Sequence, residues 1–105
     1  MDYKKKLNTN VETLYNKINN NTHFVVFGLS TCIFCRKTIE LLKSKNIKYK
    51  FYNIDDIYNL FFKTFNDLAH EYSNLDIDST HKTVPIIFHK KKFIGGFTNL
   101  NNMIN

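Results

Sequence analysis

The sequence predicts an α/β fold, a four-stranded mixed sheet flanked by helices in the order α-β-α-β-α-β-β-α. Three observations predict it. A short apolar run without polar alternation, His23 to Phe27, is followed by a helix-like stretch and then by a second strand-like run, the pattern of a parallel strand pair with a right-handed crossover. Late in the chain, two apolar runs bracket His89-Lys90-Lys91-Lys92, which reads as an antiparallel hairpin. Between them, apolar residues recur at helical spacing, so helices are available to cover the sheet.

Taken in order, Val11, Leu14, Tyr15 and Ile18 share one helical face, with Asn10 before them as a cap. The Asn-rich stretch Asn16 to Asn21 ends that helix. HFVVF suits a strand covered on both faces. Gly28-Leu29-Ser30-Thr31 forms a turn, and a helix runs from about Ile33 to Lys45 with Cys35, Ile39 and Leu42 inward and Asn46 as its stop. Tyr49 to Ile54 alternates as a second strand.

A long helix then carries Ile57, Leu60, Phe61, Phe65, Leu68, Ala69 and Tyr72 on its apolar face, with Asp55 and Asp56 at its start to cap it and meet the dipole. Ser73 to Lys82 is a polar connection. Val84 to Phe88 and Phe93-Ile94 form the hairpin, and Gly95-Gly96 ends it. Thr98 is expected to cap a last short helix bearing Leu100, Met103 and Ile104.

The chain has 105 residues, 43% hydrophobic and 15% aromatic, with ten Phe and six Tyr. That is enough for one core built largely from rings, so residues 1–105 are expected to form a single domain. No apolar stretch approaches the roughly 20 residues of a membrane span, and MDYKKKLNTN has no apolar block of the kind a secretory signal carries. A soluble, cytoplasmic protein without membrane contact is the expectation. The formal charge of +6 invites a nucleic-acid reading. Against it, the lysines are dispersed, Arg36 is the only arginine, and Lys4-Lys5-Lys6 and Lys90-Lys91-Lys92 are short. A solvated face is the simpler account, and no nucleic-acid partner is expected.

The only two cysteines, Cys32 and Cys35, stand three positions apart between the first strand and its helix. Cys32 would lie at the helix entrance, where unpaired N–H groups and the dipole favour a thiolate, with Arg36 and Lys37 close behind. Cys35 would lie one turn in, facing the core, and stay protonated until required. One thiol attacks and the other resolves. Two other readings remain open on the residues alone. A structural zinc ion needs four ligands, and there is no second Cys pair, with only His81 in a position to approach. Two inert core thiols are the other. Pro85, the only proline, opens an apolar strand where proline is unwelcome, which marks either a specially shaped backbone or an edge strand.

Together, the strand-turn-Cys-x-x-Cys-helix of Phe27 to Leu42, Thr83-Val84-Pro85 and Ile94-Gly95-Gly96 resemble a dithiol glutaredoxin over nearly the whole chain. The resemblance implies a thioredoxin-like fold and glutathione-dependent exchange of thiols and disulfides, with a cis proline. It implies glutathione as co-substrate, no tightly bound cofactor and no metal, and disulfide-bonded or glutathionylated proteins as partners of a monomer. Carried over by position, Cys32 is the attacking thiolate and Cys35 the resolving thiol. Phe34 walls the glutathione groove, Lys82 meets the glycyl carboxylate, Val84 pairs its backbone with the cysteinyl part, Pro85 shapes that contact, and Thr83 belongs to the same binding segment. Gly96, Thr98 and Asn99 receive the γ-glutamyl end.

Several positions depart from the family pattern. Ile33 stands where a proline is common and Leu29 where a lysine is frequent. Thr98-Asn99 replaces an acidic pair, and the chain stops soon after the last helix begins. Two further roles stay in view, the first favoured by Leu29 and Thr98-Asn99 and the second opposed by the bulk of Ile33. One is an electron donor fed by thioredoxin reductase, for example to ribonucleotide reductase. The other is an iron–sulfur carrier, in which Cys32 of two chains and two glutathiones hold the cluster.

Overall fold

The structure, a computed structural model, describes residues 10–20 and 23–105. The Lys4-Lys5-Lys6 cluster and the last residue of the Asn-rich stretch lie outside them. Four strands, β1 (Phe24–Gly28), β2 (Tyr49–Asn53), β3 (Ile86–His89) and β4 (Lys92–Gly95), form one sheet in the order β2-β1-β3-β4. β1 runs parallel to β2 and antiparallel to β3, and β3 pairs antiparallel with β4. This is the expected mixed sheet, with the hairpin at one edge.

Four α-helices flank it: α1 (Val11–Asn19), α2 (Ile33–Ser44), α3 (Tyr58–Glu71) and α4 (Phe97–Ile104). Every residue of the central β1 is buried, and its side chains alternate between two cores. Val25 and Phe27 join Ile86 and Phe88 with Leu14, Ile18, Phe61, Phe65 and Leu68 on the α1/α3 side. Phe24 and Val26 join Ile87, Leu42 and Leu100 on the α2/α4 side. A strand buried on both faces needs no polar alternation, which is why HFVVF reads as it does.

Helix ends follow the sequence in part. Asn10 caps α1, its Oδ1 accepting the Thr13 N–H at 2.8 Å. Asn46 ends α2 with a left-handed φ of 57°, the conformation that asparagine tolerates best after glycine. Lys90 and Lys91, with φ of 52° and 69°, make the two-residue turn of the hairpin.

Three expectations are corrected. Asp55 and Asp56 do not cap α3: they lie in a 3-10 turn (Asp55–Ile57), and the Asp55 carboxylate is drawn instead to Ser30. Leu60 is 51% exposed rather than inward: at about 100° per residue it falls at the edge of the face formed by Phe61, Thr64, Phe65 and Leu68, and Thr64 is buried instead. The last helix is capped at Gly96, and Thr98 falls in its first turn. Asn99, one residue further, reaches back to do the capping that Thr98 was expected to do.

Candidate functional site

The end of β1 delivers the chain to the loop Leu29–Thr31, and Cys32 is the N-cap of α2. Its backbone is extended (φ −83°, ψ 120°), so its sulfur folds back over the first turn and accepts the Cys35 N–H at 3.1 Å. The same sulfur stands 3.9 Å from the carbonyl oxygen of Val84, an acceptor within reach of its S–H. Neither cysteine is in a disulfide; Cys32 is partly exposed, whereas Cys35 is only 1% exposed. Burial, reinforced by the contact with Cys32, pushes the Cys35 thiol up to about 12 from its ordinary 9.0. The two sulfurs are therefore unlike in access, and the buried one is held protonated.

Residues after Cys32 form a tip. Ile33 is 59% and Phe34 49% exposed. The Phe34 ring lies 6.0 Å from that of Phe97 at the start of α4, and the Lys37 ammonium sits 5.4 Å over its face. Across from Phe34 runs the segment leading into β3, where the Val84–Pro85 peptide bond is cis. Between these walls lies a groove of about 230 Å³. Of the residues selected from the sequence, Phe34, Thr83, Val84, Pro85, Gly96, Thr98 and Asn99 line it; Lys82 lies exposed beside it.

The loop is pinned from behind. Asp55, at the end of β2, accepts the Ser30 N–H at 2.9 Å and the Ser30 hydroxyl at 2.6 Å, and these bonds hold its carboxyl below the usual range. Asn53 completes the network, accepting the Asp55 N–H at 2.7 Å. Among the described residues no cluster of three or more His, Cys, Asp or Glu is placed to hold a metal ion, and no helix is long and apolar enough to cross a membrane.

The comparisons with known proteins agree with this arrangement. The family model "Glutaredoxin" matches residues 24–94, the span from β1 to β4 that contains both the Cys pair and the Thr-Val-Pro segment. A probable glutaredoxin of Acanthamoeba polyphaga mimivirus is 37% identical over 78 residues, 73% of each chain. The chain belongs to the glutaredoxin family. Glutaredoxin-1 of Ectromelia virus is 34% identical over 85 residues, 81% of this chain and 74% of that one. Among solved structures, the dithiolic glutaredoxin 2-C-Grx1 of Trypanosoma brucei brucei superposes with a TM-score of 0.63 at 25% identity, over 87% of this chain and 84% of that one. A buckwheat glutaredoxin–glutathione complex superposes with a TM-score of 0.71 at 19% identity, over 90% and 77%. The latter likeness speaks to the fold, which is thioredoxin-like. Like its relatives, this glutaredoxin is a thiol–disulfide oxidoreductase.

Two residues of the groove were not selected from the sequence for it. Phe97 contributes the ring opposite Phe34; its place directly after Gly95-Gly96 was the available signal. His81, which the sequence offers only as a candidate metal ligand, lines the groove edge-on to Phe93 with ring centroids 5.3 Å apart. Its Nε2 is buried and has no hydrogen-bond partner among the described residues. It stands four positions before Pro85, and no periodicity marks it.

Proposed function

We propose that this glutaredoxin uses glutathione, with Cys32 as nucleophile and Cys35 as resolving thiol, to reduce protein disulfides and glutathione mixed disulfides. The observation that carries the reading is the asymmetry of the pair: one sulfur accessible at a helix start, the other buried with its thiol held protonated. The beginning of a helix favours an anion, and the neighbouring groove offers a bed for a small thiol peptide.

In the first step the Cys32 thiolate attacks one sulfur of the substrate disulfide; a mixed disulfide forms and the other sulfur leaves as a thiolate. Where the partner remains attached, Cys35 gives up its proton and attacks the Cys32 sulfur, releasing the partner and closing the Cys32–Cys35 disulfide. Two glutathione molecules then supply the two electrons, the first forming a mixed disulfide with Cys32 and the second leaving as oxidised glutathione.

The test is a side-by-side assay of wild type, Cys32→Ser and Cys35→Ser. Cys32→Ser is expected to lose both activities. Cys35→Ser is expected to keep the reduction of a glutathione mixed disulfide and to lose most reduction of a protein disulfide. Turnover by Cys32→Ser, or regeneration by thioredoxin reductase in place of glutathione, would overturn the reading.

A further inference from the structure

Among the described residues, no acidic side chain lines the groove: none of their eight aspartates and glutamates is among its lining residues. Asp78, whose charge reaches His81, is not a lining residue, and its carboxylate already accepts the N–H and the hydroxyl of Thr80. An ammonium entering a protein site is normally met by a carboxylate, because a partly desolvated charge without a partner is costly. Lys82, exposed between the lining residues His81 and Thr83, and Lys37, over the ring of Phe34, are cations.

Asn99 is the residue that decides the polarity of the Gly96 end. Its Oδ1 accepts the Gly96 N–H at 3.1 Å. The side chain lies against the bare Cα of Gly95, where an added Cβ would stand 2.5 Å from that same oxygen. With the oxygen engaged, the group that Asn99 has left to offer is its NH₂, a donor. His81 brings a further polar atom to the groove, and a neutral or protonated ring adds no negative charge.

The geometry points to a groove that recognises its thiol peptide by carboxylate and apolar groups and is indifferent to the ligand's amino group, with Asn99 setting that indifference. This rests on the glutathione reading above, with the γ-glutamyl end at Gly96 and Asn99. The substrate class widens accordingly, to acidic cysteinyl peptides without a free ammonium.

The experiment compares glutathione with N-glutaryl-cysteinyl-glycine, the same tripeptide lacking only the amino group. Each reduces the oxidised wild-type protein over a concentration series, and the product is read by thiol alkylation and mass spectrometry. Half-saturating concentrations within about threefold of one another are expected. A preference for glutathione beyond threefold overturns the inference while leaving glutathione dependence intact. Reduction by neither tripeptide removes the glutathione reading, and the inference with it. In Asn99→Asp one carboxylate oxygen can still cap Gly96 while the other faces the ligand. That variant is expected to gain a preference of threefold or more for glutathione, and an unchanged ratio would overturn the role given to Asn99.

Discussion

The sulfur of Cys35 lies directly over the Cα of Gly28: a Cβ built on that glycine would stand 2.6 Å from Sγ and 3.2 Å from the cysteine's own Cβ. The ring of Phe51 closes the other side at 3.0 Å. The last residue of β1 therefore has to be small for α2 to seat the Cys35 thiol. Gly28→Ala is expected to destabilise the reduced protein by about 1–3 kcal/mol, the usual cost of overpacking, measured by urea unfolding. Cys35→Ala removes the atom in the way, so the double variant is expected to recover a good part of the loss. Strictly additive effects would show that the strand and helix part elsewhere.

The raised Cys35 thiol has a consequence at alkaline pH. Its folded value, about 12, lies above the ordinary 9.0, so the contribution of the protonated thiol is complete below pH 9. It is lost as pH rises through the interval from 9 towards 12. Lysines and tyrosines titrate in the same range, so the readout is the difference between wild type and Cys35→Ala, followed by unfolding at fixed urea steps from pH 8 to pH 11. The wild type is expected to lose more stability over that interval. Parallel curves would mean that Cys35 is not sealed from water in solution.

Much of this was legible in the chain because it depends on local pattern. HFVVF suits a covered strand, and the helical spacing around Leu14 and Ile18 and around Phe61, Phe65 and Leu68 marks the faces that are buried. What escaped depends on contacts between distant segments. Asp55 reads as a helix cap from its neighbours, but Ser30, 25 residues earlier, offers its carboxylate both an N–H and a hydroxyl. Leu60 fits an apolar stripe by spacing but falls at the edge of the face that Phe61, Phe65 and Leu68 bury. In the groove, the motif residues came together, whereas His81 and Phe97 entered through loop paths that no period encodes. Thr98 carries the better cap chemistry on paper. The capping contact belongs instead to Asn99, because Gly95, with φ of +124° and no Cβ, leaves room for it.

The Ser30–Asp55 pair ties the cysteine loop to the end of β2. Both residues are exposed, so the expected signature is coupling and pH dependence rather than a large loss of stability. Ser30→Ala and Asp55→Ala should each loosen the loop, and the double variant should be little worse than either. The Asp55 carboxyl is held below its ordinary value of 3.8, so the wild type's advantage is complete above about pH 4 and is lost as pH falls through the lower, folded value. Acid titrations of wild type and Asp55→Ala, followed by circular dichroism, should converge at low pH. A gap that persists at the acid extreme would assign the effect to packing instead.

Gly95 and Asn99 form the other tight pair, at the entry to α4. Gly95 combines a left-handed φ of +124° with an approach that leaves no space for a Cβ, which would meet Asn99 Oδ1 at 2.5 Å and its Cγ at 2.8 Å. Gly95→Ala therefore carries two separable penalties, one from the backbone, about 1–3 kcal/mol, and one from displacing the Asn99 side chain. Asn99→Ala alone gives up the bond to the Gly96 N–H, at about 0.5–2 kcal/mol for a lost cap. In the double variant the clash is gone and the backbone penalty remains, so the combined loss is expected to fall short of the sum of the two. Denaturant unfolding of the four proteins gives the cycle directly. Additivity within about 0.5 kcal/mol would mean that Asn99 does not rest against Gly95 in solution, and would free its oxygen for a ligand.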